Sequence, residues 1–255
     1  MTTTIEVHRP GLWSWVTLIK CEAKMVVRDT AGLVVPIGLP LLILIMSASA
    51  ASAQAAGDTG LTGLEVYVLP LVFAVVIASI GIINMPSFLS YYRRSGILRR
   101  LAVTPASPVM VLVAQAVVSL MQAALGVGVA LAVAVLFFGA QFPVAPLTAI
   151  GVALLGLGAM YGVGMIVAAV APTPNSAVAI GLIAFFAVGS LGGLFGAQAL
   201  PDSLARVGEL LPFGATVQAM GDAWVGTAVD PAHIVSLVAT IIVGGVVSAA
   251  FFRWD

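Results

Sequence analysis

Long apolar stretches alternate with short polar or proline-rich breaks along most of this chain. A helix needs about 20 apolar residues to cross the hydrocarbon core of a bilayer. We therefore predict an all-α integral membrane protein that forms a single domain over 1–255 and has six transmembrane helices. These spans are expected at about 31–53, 65–89, 108–139, 147–170, 176–198 and 233–252.

Charged residues bound the first, second and sixth stretches, but no Asp, Glu, Lys or Arg occurs between Arg100 and Asp202. Within that interval the breaks are the proline-bearing segments 141–146 and 171–175, because proline removes a backbone donor and disfavours helix just before it. Composition agrees with a membrane location. Hydrophobic residues make up 61% of the chain and charged residues only 8%, against about 25% charged in ordinary soluble domains.

The distribution of basic residues predicts the orientation in the cytoplasmic membrane, since loops rich in Lys and Arg stay inside. If both termini are cytoplasmic, only Arg206 of the 10 Lys and Arg residues lies outside. We therefore predict a multi-pass protein with its N-terminus and C-terminus inside. A cleaved signal peptide with its apolar core at 33–46 is disfavoured, because the region before it is long and contains acidic residues.

Two segments outside the spans are expected to lie at the membrane surface. Residues 11–28 predict an amphipathic interfacial helix with Trp13 and Trp15 at the headgroup level. Its apolar face comprises Leu12, Val16, Ile19, Ala23 and Val26, and its polar face comprises Ser14, Thr17, Cys21, Lys24 and Arg28. This helix either only anchors the chain to membrane lipid or also contacts a cytoplasmic partner. Residues 199–232 predict short re-entrant helices in the outer leaflet, since Asp202 and Glu209 are too costly in the hydrocarbon centre.

The sequence offers no catalytic chemistry. The only lysines, Lys20 and Lys24, do not follow a phosphate-binding glycine loop, and His8 and His233 lack metal-ligand spacing. We therefore predict a non-catalytic chain with no metal, no cofactor of its own and no nucleic-acid partner. Spans three to five also lack the ionisable residues that proton-coupled transporters commonly use.

Mild polar residues and glycine pairs occur inside the predicted spans. Asn84 in span two and the residues Gln115, Ser119 and Gln122 on one face of span three either line a substrate path or form hydrogen bonds between helices. Small residues four apart allow close helix packing. We therefore expect spans four and five to be buried against other helices through the pairs Gly158 and Gly162, and Gly189 and Gly193.

The inner loop after span two carries a distinctive basic segment, Tyr91 to Pro105. The chain resembles the permease subunit of ABC-2 type transporters over nearly its whole length. In that family a short cytoplasmic coupling helix after span two contains a Gly, a Leu-rich basic stretch and a Thr-Pro pair. The matching residues here are Gly96, Leu98, Arg99, Arg100, Leu101, Thr104 and Pro105. The segment from Leu200 to Pro212 also resembles the family's outer Leu-Pro segment. Many members carry an acid before the coupling-helix Gly, whereas this chain has Arg93 and Arg94 there.

The resemblance implies an exporter subunit without catalysis of its own. A separate nucleotide-binding ATPase subunit, which holds ATP and Mg, is expected to dock on 91–105, with Arg93 and Arg94 among its contacts. A second permease copy or a related permease chain is expected to complete the pathway. With only 7% aromatic residues, a hydrophobic or amphipathic substrate such as a drug, an antibiotic or a lipid fits better than a sugar polymer. The alternative is an ATP-independent secondary transporter or channel.

Overall fold

The computed structural model describes residues 11–57, 60–97, 108–196 and 201–251, and these residues form nine helices. Six of the nine, α2 to α6 and α9, are long and apolar enough to cross a membrane, in agreement with the predicted number. The helices are α1 Leu12–Arg28, α2 Thr30–Ser52, α3 Leu64–Arg94, α4 Pro108–Phe138, α5 Pro146–Val170, α6 Pro174–Leu191, α7 Asp202–Leu210, α8 Pro212–Val225 and α9 Pro231–Phe251.

Prolines set the helix boundaries in the uncharged part of the chain, as predicted. α5 begins at Pro146 and α6 begins at Pro174. Thr173 caps α6, because its hydroxyl accepts a hydrogen bond from the Ser176 amide at 3.2 Å. The fifth span is shorter than predicted and ends at Leu191, since the chain then enters a glycine-rich turn in which Gly193 has a φ of 93°. The second span is longer than predicted and reaches Arg94.

α3 is the central helix of the described structure. The most apolar stretch of α3 is 78% buried within the chain. The corresponding stretches of α6 and α9 are 22% and 17% buried. The prediction that spans four and five are buried against other helices is not met by α6 within the single chain, and the burial of α6 against a second chain stays a prediction. α3 also contains two π-helical segments, Leu64–Val68 and Ser79–Asn84. Its apolar side chains lie in both of the large buried clusters, which places other helices around it.

α1 packs on the bundle through only part of the apolar face predicted for it, since Val26 is buried and Ile19 and Ala23 are partly buried. The predicted polar residues are all exposed, but Leu12 at 85% and Val16 at 41% are exposed as well. The buried residues of α1 are Glu22 and Val26, because this face lies against the carboxyl end of α3, where Glu22 finds a polar partner.

The most extensive helix pairing among the described residues is that of α5 with α9, and it involves the predicted packing glycines of α5. A Cβ added at Gly162 would lie 2.8 Å from the Thr240 carbonyl oxygen of α9, and one added at Gly158 would lie 3.0 Å from Ile241 Cδ1. Gly189 and Gly193 are placed differently. A Cβ at Gly189 would lie 3.0 Å from Leu194 Cδ2, so this pair belongs to the turn that ends α6.

The candidate coupling surface and the polar contacts between helices

The described part of the predicted coupling segment begins at the carboxyl end of α3. Tyr91, which is 50% exposed, and Arg94 lie at the surface there. Gly96 adopts a φ of 70°, a left-handed conformation that favours glycine and lets the chain turn away from the helix. The other predicted contact residues lie outside the described residues: Leu98, Arg99, Arg100, Leu101, Thr104 and Pro105.

Tyr92 connects this segment to α1. Its hydroxyl donates a hydrogen bond of 2.6 Å to Glu22 Oε2 and lies 3.5 Å from Met25 Sδ. Both members of the pair are buried, at 5% accessibility for both Glu22 and Tyr92. A buried carboxyl group is costly unless it is hydrogen-bonded, so this bond fixes α1 against the end of α3. Burial raises the pKa of the Glu22 carboxyl, and the hydrogen bond from Tyr92 opposes that rise.

Replacing Glu22 with glutamine is expected to stabilise the protein above neutral pH. Because the pKa of Glu22 is raised on folding, the contribution of the carboxyl to stability is fully present below its ordinary pKa of 4.5 and is lost as pH rises through the raised value. The melting temperature of Glu22→Gln should exceed that of the original chain by a few degrees at pH 8, and this difference should narrow towards pH 4.5.

The control for this prediction is Tyr92→Phe. It removes the donor and should lower the melting temperature most at high pH. A difference that does not vary with pH would contradict this account.

Arg93 lies against the end of α5. Its guanidinium donates to the Ala168 carbonyl oxygen at 3.4 Å and to the Ala171 carbonyl oxygen. The residue four after Ala168 is Pro172, which has no N–H, so the Ala168 carbonyl lacks its usual helical donor. A positive charge at a helix carboxyl end is also favoured by the helix dipole. Arg93 is therefore engaged inside the protein.

A backbone carbonyl in α2 joins three of the membrane-spanning helices. Pro36 lies inside α2 and has no N–H, so the Gly32 carbonyl lacks the donor that a helix supplies four residues later. Asn84 Nδ2 of α3 and Gln122 Nε2 of α4 both donate to this oxygen, each at 2.6 Å. The carbonyl that a proline leaves without a helical donor is thus satisfied by two neighbouring helices.

The remaining predicted path residues also take part in contacts between helices. Gln115 Nε2 donates to the Met85 carbonyl oxygen at 3.2 Å. Tyr161 of α5 donates to Ser119 Oγ at 2.5 Å and lies 3.2 Å from the Gln115 carbonyl oxygen. Asn84, Gln115, Ser119 and Gln122 are all buried. That these residues line a substrate path stays a prediction.

A second polar cluster closes the amino-terminal end of α3. Glu65 is buried, and its carboxylate accepts from the Thr62 amide at 2.7 Å and from the Gln141 amide at 3.1 Å. The Gln141 carbonyl in turn accepts from Trp224 Nε1 at 3.1 Å. The Trp224 ring packs edge-on against Phe73 with their centroids 5.5 Å apart. The cluster therefore ties the start of α3 to the α4–α5 connection and to α8.

Sequence reasoning did not predict the roles of Glu22, Glu65 or Tyr161. Glu65 stands at the first turn of an apolar stretch, three residues after Thr62, and this spacing allows a helix-start contact. Glu22 is three residues after Ile19 and four before Val26, so it lies beside the predicted apolar face of α1, which is a signal for a buried partner. Tyr161 is the one tyrosine in the uncharged interval, and a buried tyrosine hydroxyl usually finds a hydrogen-bond partner.

The described helices are those of a multi-pass membrane protein whose spans are joined by polar contacts to backbone carbonyls. Residues 14–223 match the family described as ABC-2 type transporter. Since this match covers most of the chain, the chain belongs to the ABC-2 type transporter family, as its sequence predicted. It is a membrane permease component of such a transporter, without catalytic machinery of its own. No curated protein matches the chain.

Proposed function

We propose that this chain is the permease subunit of an exporter driven by a separate ATPase subunit that docks on residues 91–105. The observation that carries the proposal is the arrangement at the carboxyl end of α3. Tyr91 and Arg94 are exposed, whereas their neighbours Tyr92 and Arg93 are held by other helices. The end of α3 thus offers a basic, aromatic surface that is held in place by contacts with α1 and α5. Such an arrangement suits a docking site that must transmit force.

In this proposal both termini are cytoplasmic and α7 with α8 form re-entrant helices at the outer leaflet. The junction of α6, α7 and α8 is glycine-lined. A Cβ at Gly192 would lie 2.6 Å from the Gly214 amide nitrogen, and one at Gly208 would overlap the Leu191 carbonyl oxygen. This close backbone contact supports the proposal that α7 and α8 form a compact unit packed on the end of α6. A position in the outer leaflet would keep the acidic residues of α7 away from the hydrocarbon centre.

The transport pathway is proposed to form between two permease chains, identical or related, with α6 nearest to it, since α3 is surrounded by helices of its own chain. In the single chain α6 has a broad exposed apolar face that includes Leu182, Ile183 and Phe186. A second chain would cover such a face. The substrate class that fits a pathway with apolar walls is a hydrophobic or amphipathic molecule, such as a drug, an antibiotic or a lipid, moved outward across the cytoplasmic membrane.

Reversing the charge of Arg99 and Arg100 is expected to abolish co-purification of the ATPase subunit. Two glutamates in place of two arginines would oppose acidic groups on a docked partner, and like charges facing each other across an interface cost several kcal/mol. The measurement is the amount of ATPase subunit retained on an affinity-tagged permease, together with the rate of ATP hydrolysis by the purified complex. We expect retention to fall by at least about tenfold.

The matched control makes the same charge change elsewhere. Lys24 and Arg28 are exposed on α1, and their double replacement with glutamate should leave the complex intact. An undiminished complex with unchanged hydrolysis in the Arg99→Glu/Arg100→Glu variant would refute docking at this loop. The native mass of the same preparation reports the number of permease copies, and a single copy in the active assembly would refute the paired pathway.

A further inference from the structure

We propose that the Arg93 guanidinium and the two carbonyl groups it binds form a latch, a contact that transmits movement of the carboxyl end of α3 to the carboxyl end of α5 and to the 171–173 turn. Arg93 is then not a contact for the ATPase subunit. The proposal rests on the proposed function for the origin of the movement. Its geometry rests only on contacts within this chain. It assigns a positioning role to a residue that sequence reasoning placed on the docking surface.

The first step is the binding of two carbonyl groups by one guanidinium. Ala168 lies in the last turn of α5 and Ala171 is the first residue after that helix. Arg93 donates to both of their oxygens. Pro172 leaves the Ala168 carbonyl without its usual helical donor, and Ala168 and Ala171 are both fully buried. The guanidinium is rigid and planar and always charged, and charged donors form the stronger hydrogen bonds. The end of α5 is therefore coupled to the end of α3.

The second step is the position of two engaged side chains between two exposed ones along α3. Tyr91 and Arg94 are exposed, while Tyr92 binds Glu22 of α1 and Arg93 binds the end of α5. Residues one apart on a helix point in different directions. A partner that docks on the exposed side chains can therefore move two other helices through the pair between them.

The third step is the position of the 171–173 turn at the start of α6. Thr173 and Ser176 form a reciprocal cap in which the Thr173 amide donates to Ser176 Oγ at 2.9 Å and the Ser176 amide donates to Thr173 Oγ1 at 3.2 Å. This cap makes the turn continuous with α6. A displacement of Arg93 would thus move the 171–173 turn and, with it, the start of α6. α6 is the helix that bears the exposed apolar face.

The first arm of the test uses the purified full chain without any ATPase subunit. Amide hydrogen exchange over residues 168–178 should be about tenfold faster in Arg93→Gln, since a net bond from a charged donor is lost. Arg93→Lys retains one charged donor and should show a smaller increase. Arg94→Gln removes the neighbouring exposed charge and should leave exchange in this segment unchanged. Equal exchange in Arg93→Gln and Arg94→Gln would overturn the latch.

The second arm uses the complex with the ATPase subunit and a reporter cysteine. Asn175 is exposed in the first turn of α6, and Asn175→Cys in a Cys21→Ser background gives a single thiol. Its labelling rate should change on addition of ATP in the original complex. In Arg93→Gln the complex should persist but this ATP-dependent change should shrink at least about fivefold, with partial rescue in Arg93→Lys. Loss of the complex in Arg93→Gln would assign Arg93 to docking and overturn the proposal.

The two arms separate the latch from the proposed function. If the unmodified chain retains no ATPase subunit, the proposed function fails, and the exchange measurement alone decides whether Arg93 secures the end of α5. If the complex forms and the labelling response of Arg93→Gln equals that of the unmodified complex, the docking proposal stands and the latch is refuted.

Discussion

Replacing Gly164 with alanine is expected to destabilise the protein more than any other single methyl addition in α5. A Cβ at Gly164 would overlap the Gly81 carbonyl oxygen in the second π-helical segment of α3 and would lie 3.0 Å from Met85 Cε. The obstacle is backbone rather than a flexible side chain, so α5 and α3 must separate. Adding atoms to a packed interior costs about 1–3 kcal/mol and sometimes more, and we expect the upper end of that range here.

The matched control is alanine at Gly151, on the same helix. No atom lies within 4 Å of a Cβ built there, and alanine is favoured over glycine in a helix by about 1 kcal/mol. Unfolding in detergent, followed by tryptophan fluorescence or thermal melting, should therefore show Gly151→Ala at or above the stability of the original chain and Gly164→Ala well below it. Equal stability of the two variants would show that α3 and α5 are not packed as described.

Removing both donors to the Gly32 carbonyl is expected to cost more than the sum of the two single changes. Asn84→Leu or Gln122→Met alone leaves the oxygen with one donor, and single hydrogen bonds between membrane helices contribute only about 0.6 kcal/mol on average. The double variant leaves the carbonyl without either donor, which costs about 1–3 kcal/mol in a buried site. A double-mutant cycle on unfolding free energy measures the difference.

Pro36→Ala should rescue the double variant. Alanine supplies the N–H that proline lacks, so Gly32 regains a helical hydrogen bond and no longer depends on Asn84 and Gln122. In that background the two donor deletions should become nearly additive and nearly neutral. If Pro36→Ala leaves the penalty unchanged, the two amides stabilise the bundle for a reason other than the carbonyl that Pro36 leaves without a helical donor.

The helices and their boundaries were largely predictable because they depend on local chemistry. Apolar length identifies the six spans, and the prolines at 146 and 174 set the starts of α5 and α6 without any charged residue nearby. The end of the fifth span was misjudged because Gly189 and Gly193 were interpreted as helix-packing residues. Glycine serves both close packing and left-handed turns, and the sequence alone does not separate these uses.

The contacts around the candidate site were less predictable because they depend on which helices become neighbours. The charge of Arg93 indicated a cytoplasmic partner, yet its acceptors are carbonyls 75 and 78 residues away in the chain. Glu22 was counted only as a charge before the first span, whereas its partner Tyr92 lies 70 residues further on. The central position of α3 was also missed, since its near-uniform apolarity does not distinguish a helix surrounded by protein from one that faces lipid.

The pairing of α5 with α9 can form only late in synthesis, because the two helices are far apart in the chain. α5 is complete at Val170, whereas α9 begins at Pro231. At about 5–20 residues per second for a ribosome, the glycine surface at Gly158 and Gly162 emerges seconds before the helix that covers it. In the nascent chain this glycine surface is therefore exposed to lipid or to a transient membrane chaperone until α9 has been synthesised. A Cβ at Gly244 of α9 would overlap the Gly162 backbone, so mutations near Gly244 should reduce the yield of inserted protein before they affect transport by the molecules that mature.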